Sequence, residues 1–171
     1  MMPASELPEG ARTKRITWQD PMVALSSAAG LTGIEFIQAI FGGKLPSPPI
    51  TATMGFTGGT AEVGKATFVG TAGEHLYNPI GVVHGGFAMT LLDSAMGCAV
   101  HTTLGVGEAY TTLETKVNFV RPITLETGPL RCEGVVVHRG GKIATAEGRL
   151  VAEDSGKLMA HGSSTCLVFK R

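Results

Sequence analysis

Residues 84–104 constrain the fold of this chain more than any other stretch. They carry Phe87, Met89, Leu91, Leu92, Ala95, Met96, Ala99, Val100 and Leu104, too apolar around the circumference for a helix lying on a surface. Such a helix is expected to be buried on most of its sides. Its small residues, Ala88, Ala95, Gly97 and Ala99, would let strands pack close to its backbone. Thr90, Asp93, Ser94 and Gly97 recur at helical spacing and form one narrow polar strip. That strip holds a single acid, and an unpaired carboxylate inside an apolar segment is costly. Asp93 therefore has a partner or a task.

The strands to wrap such a helix follow it. Leu113, Thr115, Val117 and Phe119 alternate with Glu114, Lys116 and Asn118, a period-2 pattern that ends at Arg121-Pro122. Segments near 128–138, 142–152 and 157–169 repeat the theme. The run His138-Arg139-Gly140-Gly141-Lys142 and the run Asp154-Ser155-Gly156 read as the turns between them. A helix followed by such a meander predicts an α+β fold, with an antiparallel sheet curled around the helix.

Upstream, the chain is helical. Asp20-Pro21 reads as an N-cap with Pro at the first position, opening a helix that stops near Gly30. Thr32 and Glu35 have capping-box spacing ahead of an apolar stripe of Phe36, Ile37 and Ile40, and Gly42-Gly43 ends that helix. Pro46, Pro48 and Pro49 make a stiff connector. Two β-type segments, near 50–57 and 60–71, are expected next. The chain thus divides into a flexible leader (1–15), an N-terminal helical segment (16–49) and a main domain (50–171).

Composition excludes several classes. The 171 residues include 14 acids and 14 bases, so no global field draws in nucleic acid or a membrane. No apolar run approaches the roughly 20 residues that span a bilayer, and the first residues lack a secretory apolar core. Cys98, Cys132 and Cys166 are odd in number and sit in apolar stretches, which fits buried reduced thiols better than disulfides or a metal site. These features predict a cytoplasmic, metal-free protein.

The chemistry lies just ahead of the apolar helix, in Asn78–Pro79–Ile80–Gly81–Val82–Val83–His84–Gly85–Gly86. First-turn amides of a helix are free donors at the positive end of its dipole. Glycine lets a substrate carbonyl approach that backbone closely, so Gly85 and Gly86 suit an oxyanion hole, with Asn78 as a further donor. The alternative is an ordinary turn in which His84 is simply a helix cap. For Asp93 the alternative is a carboxylate satisfied by Ser94, Thr90 or a strand. Nine residues separate His84 from Asp93, which on one helix is roughly 13.5 Å and half a rotation. Both cannot touch one carbonyl carbon. If they serve one site, the acid comes from a neighbouring subunit.

The run N-x-x-G-x-x-H-G-G, with Asp93 nine residues after the histidine and Val120-Arg121-Pro122 closing a strand, resembles the hotdog-fold acyl-CoA thioesterases, specifically the PaaI-type (phenylacetic acid degradation) branch. The resemblance covers roughly residues 50–170 and leaves the helical front outside. It implies a carboxylate at Asp93 acting as nucleophile or as general base on water, and an asparagine near the thioester carbonyl at Asn78. It also implies a carbonyl-binding amide at Gly85, a neighbouring histidine at His84 and a water-positioning hydroxyl at Thr112. No cofactor is implied beyond coenzyme A as part of the substrate, whose phosphates would meet Arg121, Arg139 and Lys142. The implied assembly is a homodimer with shared sites, or a dimer of dimers (a homotetramer). A hotdog acyl-CoA-binding or regulatory protein without hydrolysis, and a hotdog hydratase or dehydratase, are the alternatives. The front helices hold only Lys44 after Arg15, too little positive charge for a DNA-contacting module.

Overall fold

Helix α4, Gly85–His101, is the element around which the rest is arranged. Phe87, Leu91, Leu92, Met96 and Val100 are fully buried along it, and each contributes about 1.5–3 kcal/mol of burial. The structure is a computed structural model that describes residues 8–170. Ahead of α4 come α1 (Pro21–Ser27), α2 (Gly33–Phe41), α3 (Pro49–Met54), β1 (Phe56–Glu62) and β2 (Lys65–Thr71). After it come β3 (Glu108–Phe119), β4 (Pro129–Arg139), β5 (Ile143–Ala152) and β6 (Leu158–Lys170).

The strands form one six-stranded sheet in the order β1-β2-β4-β5-β6-β3, antiparallel at every pairing. Strand β5 illustrates the pleat. Ala144, Ala146, Gly148, Leu150 and Ala152 are buried, while Glu147 and Arg149 between them are exposed, the alternation expected of a sheet with one covered face. Helix α4 lies on that face against β2 through β6. A side chain at Gly134 on β4 would collide with the Ala95 carbonyl of α4, so this glycine sets how closely helix and sheet approach. The expected α+β architecture, an antiparallel sheet packed on a long central helix, is the one observed.

Local signals for the front helices also hold. Asp20 accepts the Met22 amide at 2.9 Å to cap α1, and Thr32 N–H donates to the Glu35 carboxylate at 2.8 Å at the start of α2. The reading of 50–57 as β-type is corrected. Its first half is α3, which opens with Pro49 at a position that needs no amide donor and closes at Gly55 in the left-handed region (φ 74°). The β-branched Ile50, Thr51 and Thr53 are overruled by these boundary residues. The segment 60–71 is likewise two strands, β1 and β2, turning at Gly64 (φ 81°).

Residues 1–7 of the expected leader lie outside the described residues. Beyond them, Lys14 Nζ donates to the Thr53 carbonyl at 2.9 Å and Arg12 pairs with Glu74. Among the described residues no helix is long and apolar enough to cross a membrane.

Candidate active site

The turn before α4 is built by Asn78. Its Oδ1 accepts the amides of Ile80 at 3.0 Å and Val82 at 3.2 Å, and its own amide donates to the Val82 carbonyl at 2.8 Å. Because both partners of Oδ1 are donors, the orientation of the side chain is fixed. Its Nδ2 group makes no bond among the described residues. The chain then reaches His84, whose amide donates to Leu76 O at 2.8 Å.

His84 is the N-cap of α4, and Nδ1 accepts the Gly86 amide at 2.9 Å. The neutral ring therefore carries its proton on Nε2. The Phe87 amide is taken by the His84 carbonyl at 3.0 Å. Of the first-turn amides this leaves Gly85 N–H as the one with no acceptor among the described residues. Gly86, expected to share the carbonyl-binding role, has its amide used inside the cap. Gly85 and His84 border a surface depression with Phe119, Val120 and Arg121.

Asp93 sits elsewhere on α4, and it is exposed in the single chain. The expectation of an acid inside an apolar segment is thereby corrected: the sheet covers the apolar sides of α4 and leaves the polar strip uncovered. Asp93 Oδ1 accepts hydrogen bonds from Thr112 Oγ1 at 3.2 Å and Thr115 Oγ1 at 3.1 Å, while Oδ2 has no partner among the described residues. Three residues apart on a regular strand, these two threonines would point to opposite faces. They converge because β3 carries a bulge. Thr112 pairs with Cys166 and Glu114 with Thr165, so Leu113 is an extra residue that flips the alternation. Leu113 is consequently 57% exposed instead of facing inward as its spacing predicts, whereas Phe119, though 55% exposed, keeps its ring over Gly85 at the start of α4.

Thr115 was not singled out from the sequence as a site residue. Nothing in the sequence could have placed it beside Asp93, because the bulge has no local signature. Ser164 Oγ, which donates to the Glu114 carbonyl at 3.0 Å, completes the polar cluster behind Thr115. Near Asp93 the Cys98 thiol is pushed up to about 12, by burial and then by the Asp93 charge, so it stays protonated and inert. Burial also raises the Cys132 and Cys166 thiols, and all three cysteines are free.

The three expected phosphate-binding cations differ in what they do. Arg121 is exposed beside the Gly85 depression and donates to the Leu158 carbonyl at 2.7 Å. Arg139 is half-buried, with Nη2 on both Glu108 oxygens at 3.2 and 3.1 Å. Lys142 is exposed in the β4–β5 turn. In the chain direction of β3, Glu108 and with it Arg139 lie at the end opposite Phe119 and Gly85. One protomer thus brings His84, Gly85 and Arg121 together around one depression, with Asn78 shaping the turn that leads to it, and separately Asp93, Thr112 and Thr115. The Gly85 depression and the cavity at Asp93 share no lining residue.

The six-stranded sheet on a central helix defines a hotdog-fold protein. Its central segment, residues 80–159, matches the family model of the thioesterase superfamily. Among solved structures, a phenylacetic acid degradation-related protein from Ralstonia eutropha is 28% identical, covers 76% of this chain and 97% of its own, and superposes with a TM-score of 0.67. A conserved protein from Pseudomonas aeruginosa is 28% identical over 72% of this chain and 95% of its own, TM-score 0.65. A mutant of the phenylacetic acid degradation protein PaaI from Thermus thermophilus is 26% identical over 70% and 98%, TM-score 0.62. No curated protein matches the chain in sequence. The chain is thus similar to PaaI-type proteins of the thioesterase superfamily, as its Asn78–Asp93 stretch implied.

Proposed function

We propose that this protein hydrolyses the thioester of an acyl- or aryl-CoA to the free acid and coenzyme A, with sites completed by two chains. The observation that carries this reading is the state of Asp93, on the lining of a cavity: one oxygen is held by two threonine hydroxyls and the other has no partner among the described residues. A water on Oδ2 gives its proton to the carboxylate as its oxygen attacks the thioester carbon. Charge developing on the carbonyl oxygen meets the open Gly85 amide at the positive end of α4, with Asn78 Nδ2 as a second donor. The C–S bond breaks and Asp93 returns the proton to the departing thiolate. Direct attack by Asp93, followed by hydrolysis of the mixed anhydride, gives the same products. His84 holds the Gly86 amide, so that of the first-turn amides Gly85 is the one left for substrate.

The nine-residue separation of His84 and Asp93 supports pairing of the carbonyl-binding turn of one chain with the carboxylate of another. Strand β3, at one end of the sheet with Leu113 and Phe119 exposed on it, offers an unpaired edge for that association. Arg121 beside Gly85 is the cation best situated for a coenzyme A phosphate.

The test is release of free thiol from acetyl-, medium-chain, long-chain and aryl-CoA by wild type, Asp93→Asn and Asp93→Ala. Both variants should lose about 10²–10⁴-fold in kcat. Full activity in both sinks the mechanism. Binding without hydrolysis by wild type favours a non-hydrolytic acyl-CoA-binding protein instead.

A further inference from the structure

A cavity of about 420 Å³ lies between α4, at Asp93 and Ser94, and the front helices α2 and α3. One wall is Ile37, Ile40 and Phe41 of α2; another is Phe56 and Phe68 of the sheet. Tyr110 and Cys98 line it near α4, and neither supplies a charge, since burial raises the Tyr110 hydroxyl well above its ordinary range and keeps the Cys98 thiol protonated. The only ionised side chain on its lining is Asp93. Ser47, Thr51, Thr57 and Ser94 add hydroxyls to the lining, so the carboxylate stands at one end of a space whose α2 and sheet walls are apolar.

The helical wall is a fixed part of the molecule. Gly33 N–H donates to the Leu104 carbonyl at 2.9 Å, and Phe36 stacks on His101 with ring centroids 5.4 Å apart. Gln38 Nε2 donates to the Ala61 carbonyl of β1 at 3.1 Å. At the end of α2, Phe41 sits edge-on to Phe68 at 5.1 Å, which is itself edge-on to Phe56 at 5.7 Å. This aromatic cluster closes the side of the cavity formed by α2. Helices α2 and α3 precede the segment matched by the family model, so this wall lies outside the shared core.

We infer that the chamber takes the acyl group of the substrate, that this group is a linear aliphatic chain of medium length, and that Phe41 with Ile40 sets its limit. The inference rests on the thioesterase reading. A dry cavity of about 150 Å³ holds benzene, so 420 Å³ bounds the occupant at about seventeen carbons by the same ratio. Part of that space lies at Asp93, where the thioester itself would sit, so the acyl chain is shorter than this bound. Acetyl and benzoyl groups leave most of the apolar wall uncovered. Each methylene that does cover it adds about fourfold to kcat/KM.

The test compares kcat/KM for acetyl-, butyryl-, octanoyl-, dodecanoyl-, palmitoyl- and phenylacetyl-CoA in wild type, Ile40→Trp and Phe41→Ala, each checked for folding by its melting transition. Wild type should peak at octanoyl or dodecanoyl. Ile40→Trp should move the peak toward butyryl, and Phe41→Ala should move it toward palmitoyl. A wild-type preference for acetyl- or phenylacetyl-CoA, or an unmoved peak in both folded variants, overturns the inference while leaving hydrolysis intact. If wild type hydrolyses none of them, the thioesterase reading fails. The chamber is then judged by calorimetric binding of the thioether analogue of decanoyl-CoA, which Ile40→Trp should weaken at least tenfold; equal binding by the two proteins overturns it.

Discussion

Asp93 depends on two hydroxyls that reach it from one strand, and this is where a single atom tests the site. Thr115→Val keeps shape and removes the donor to Oδ1. A hydrogen bond to a charged group is worth about 1.5–3 kcal/mol, so kcat should fall roughly 10- to 150-fold with KM little changed, and Thr115→Ser should restore most of the loss. Equal loss in the serine variant would mean that the methyl group, and not the hydroxyl, is what matters. A second residue-scale test concerns Glu108. Its carboxyl lies below the ordinary 4.5 because the Gly105 amide donates to it and the Arg139 guanidinium faces it, against the opposing effect of burial. A lowered carboxylate stabilises the fold above the unfolded value and loses that contribution as pH falls through the folded value. Glu108→Gln should therefore melt below wild type at pH 7, with the gap closing below pH 4.5. A gap that does not narrow as pH falls below 4.5 would assign the effect to packing.

At the scale of elements, α2 is held to α4 through Gly33. A Cβ there would collide with the His101 carbonyl oxygen, and overpacking of this kind costs about 1–3 kcal/mol. Gly33→Ala should lower Tm by roughly 2–4 °C per kcal/mol and speed amide exchange over residues 33–41 while α4 stays protected. Uniform loss of protection would show that the front helix and the core unfold as one unit. Helix α4 was legible as an apolar run with one polar strip, and strands β3–β6 by their period of 2. The expected meander holds only for β4–β6, since β3 pairs with β6 and not with β4. The catalytic-looking turn was legible because Asn78, His84 and the glycines are contiguous. Two things were not. Helix α3 is written in its boundary residues, Pro49 and Gly55, while its interior favours a strand. The bulge at Leu113 depends on how β3 pairs with β6, a relation between segments fifty residues apart that no local pattern records. Exposure of Asp93 was hidden for a similar reason, since the sheet decides which side of α4 stays uncovered.

At the scale of the whole molecule, the proposed site needs a second chain. Asn78→Ala and Asp93→Ala subunits, each inactive alone, should regain about a quarter of wild-type activity after mixing and reassortment, because half of the dimers are mixed and each mixed dimer has one intact site. No recovery in dimers verified as mixed would place both half-sites within one protomer and overturn the shared arrangement. The position of α2 bears on how far such association can go. Of the two strands at the ends of the sheet, β1 has Gln38 bonded to its Ala61 carbonyl and Phe41 close over its Gly59, whereas among the described residues no strand pairs with the outer edge of β3. A sheet with two bare ends invites open-ended, fibre-like growth. Here α2 acts as a stopper: under the proposed pairing β3 joins one other copy, both outer ends are then closed, and the assembly along the sheet would be complete at two.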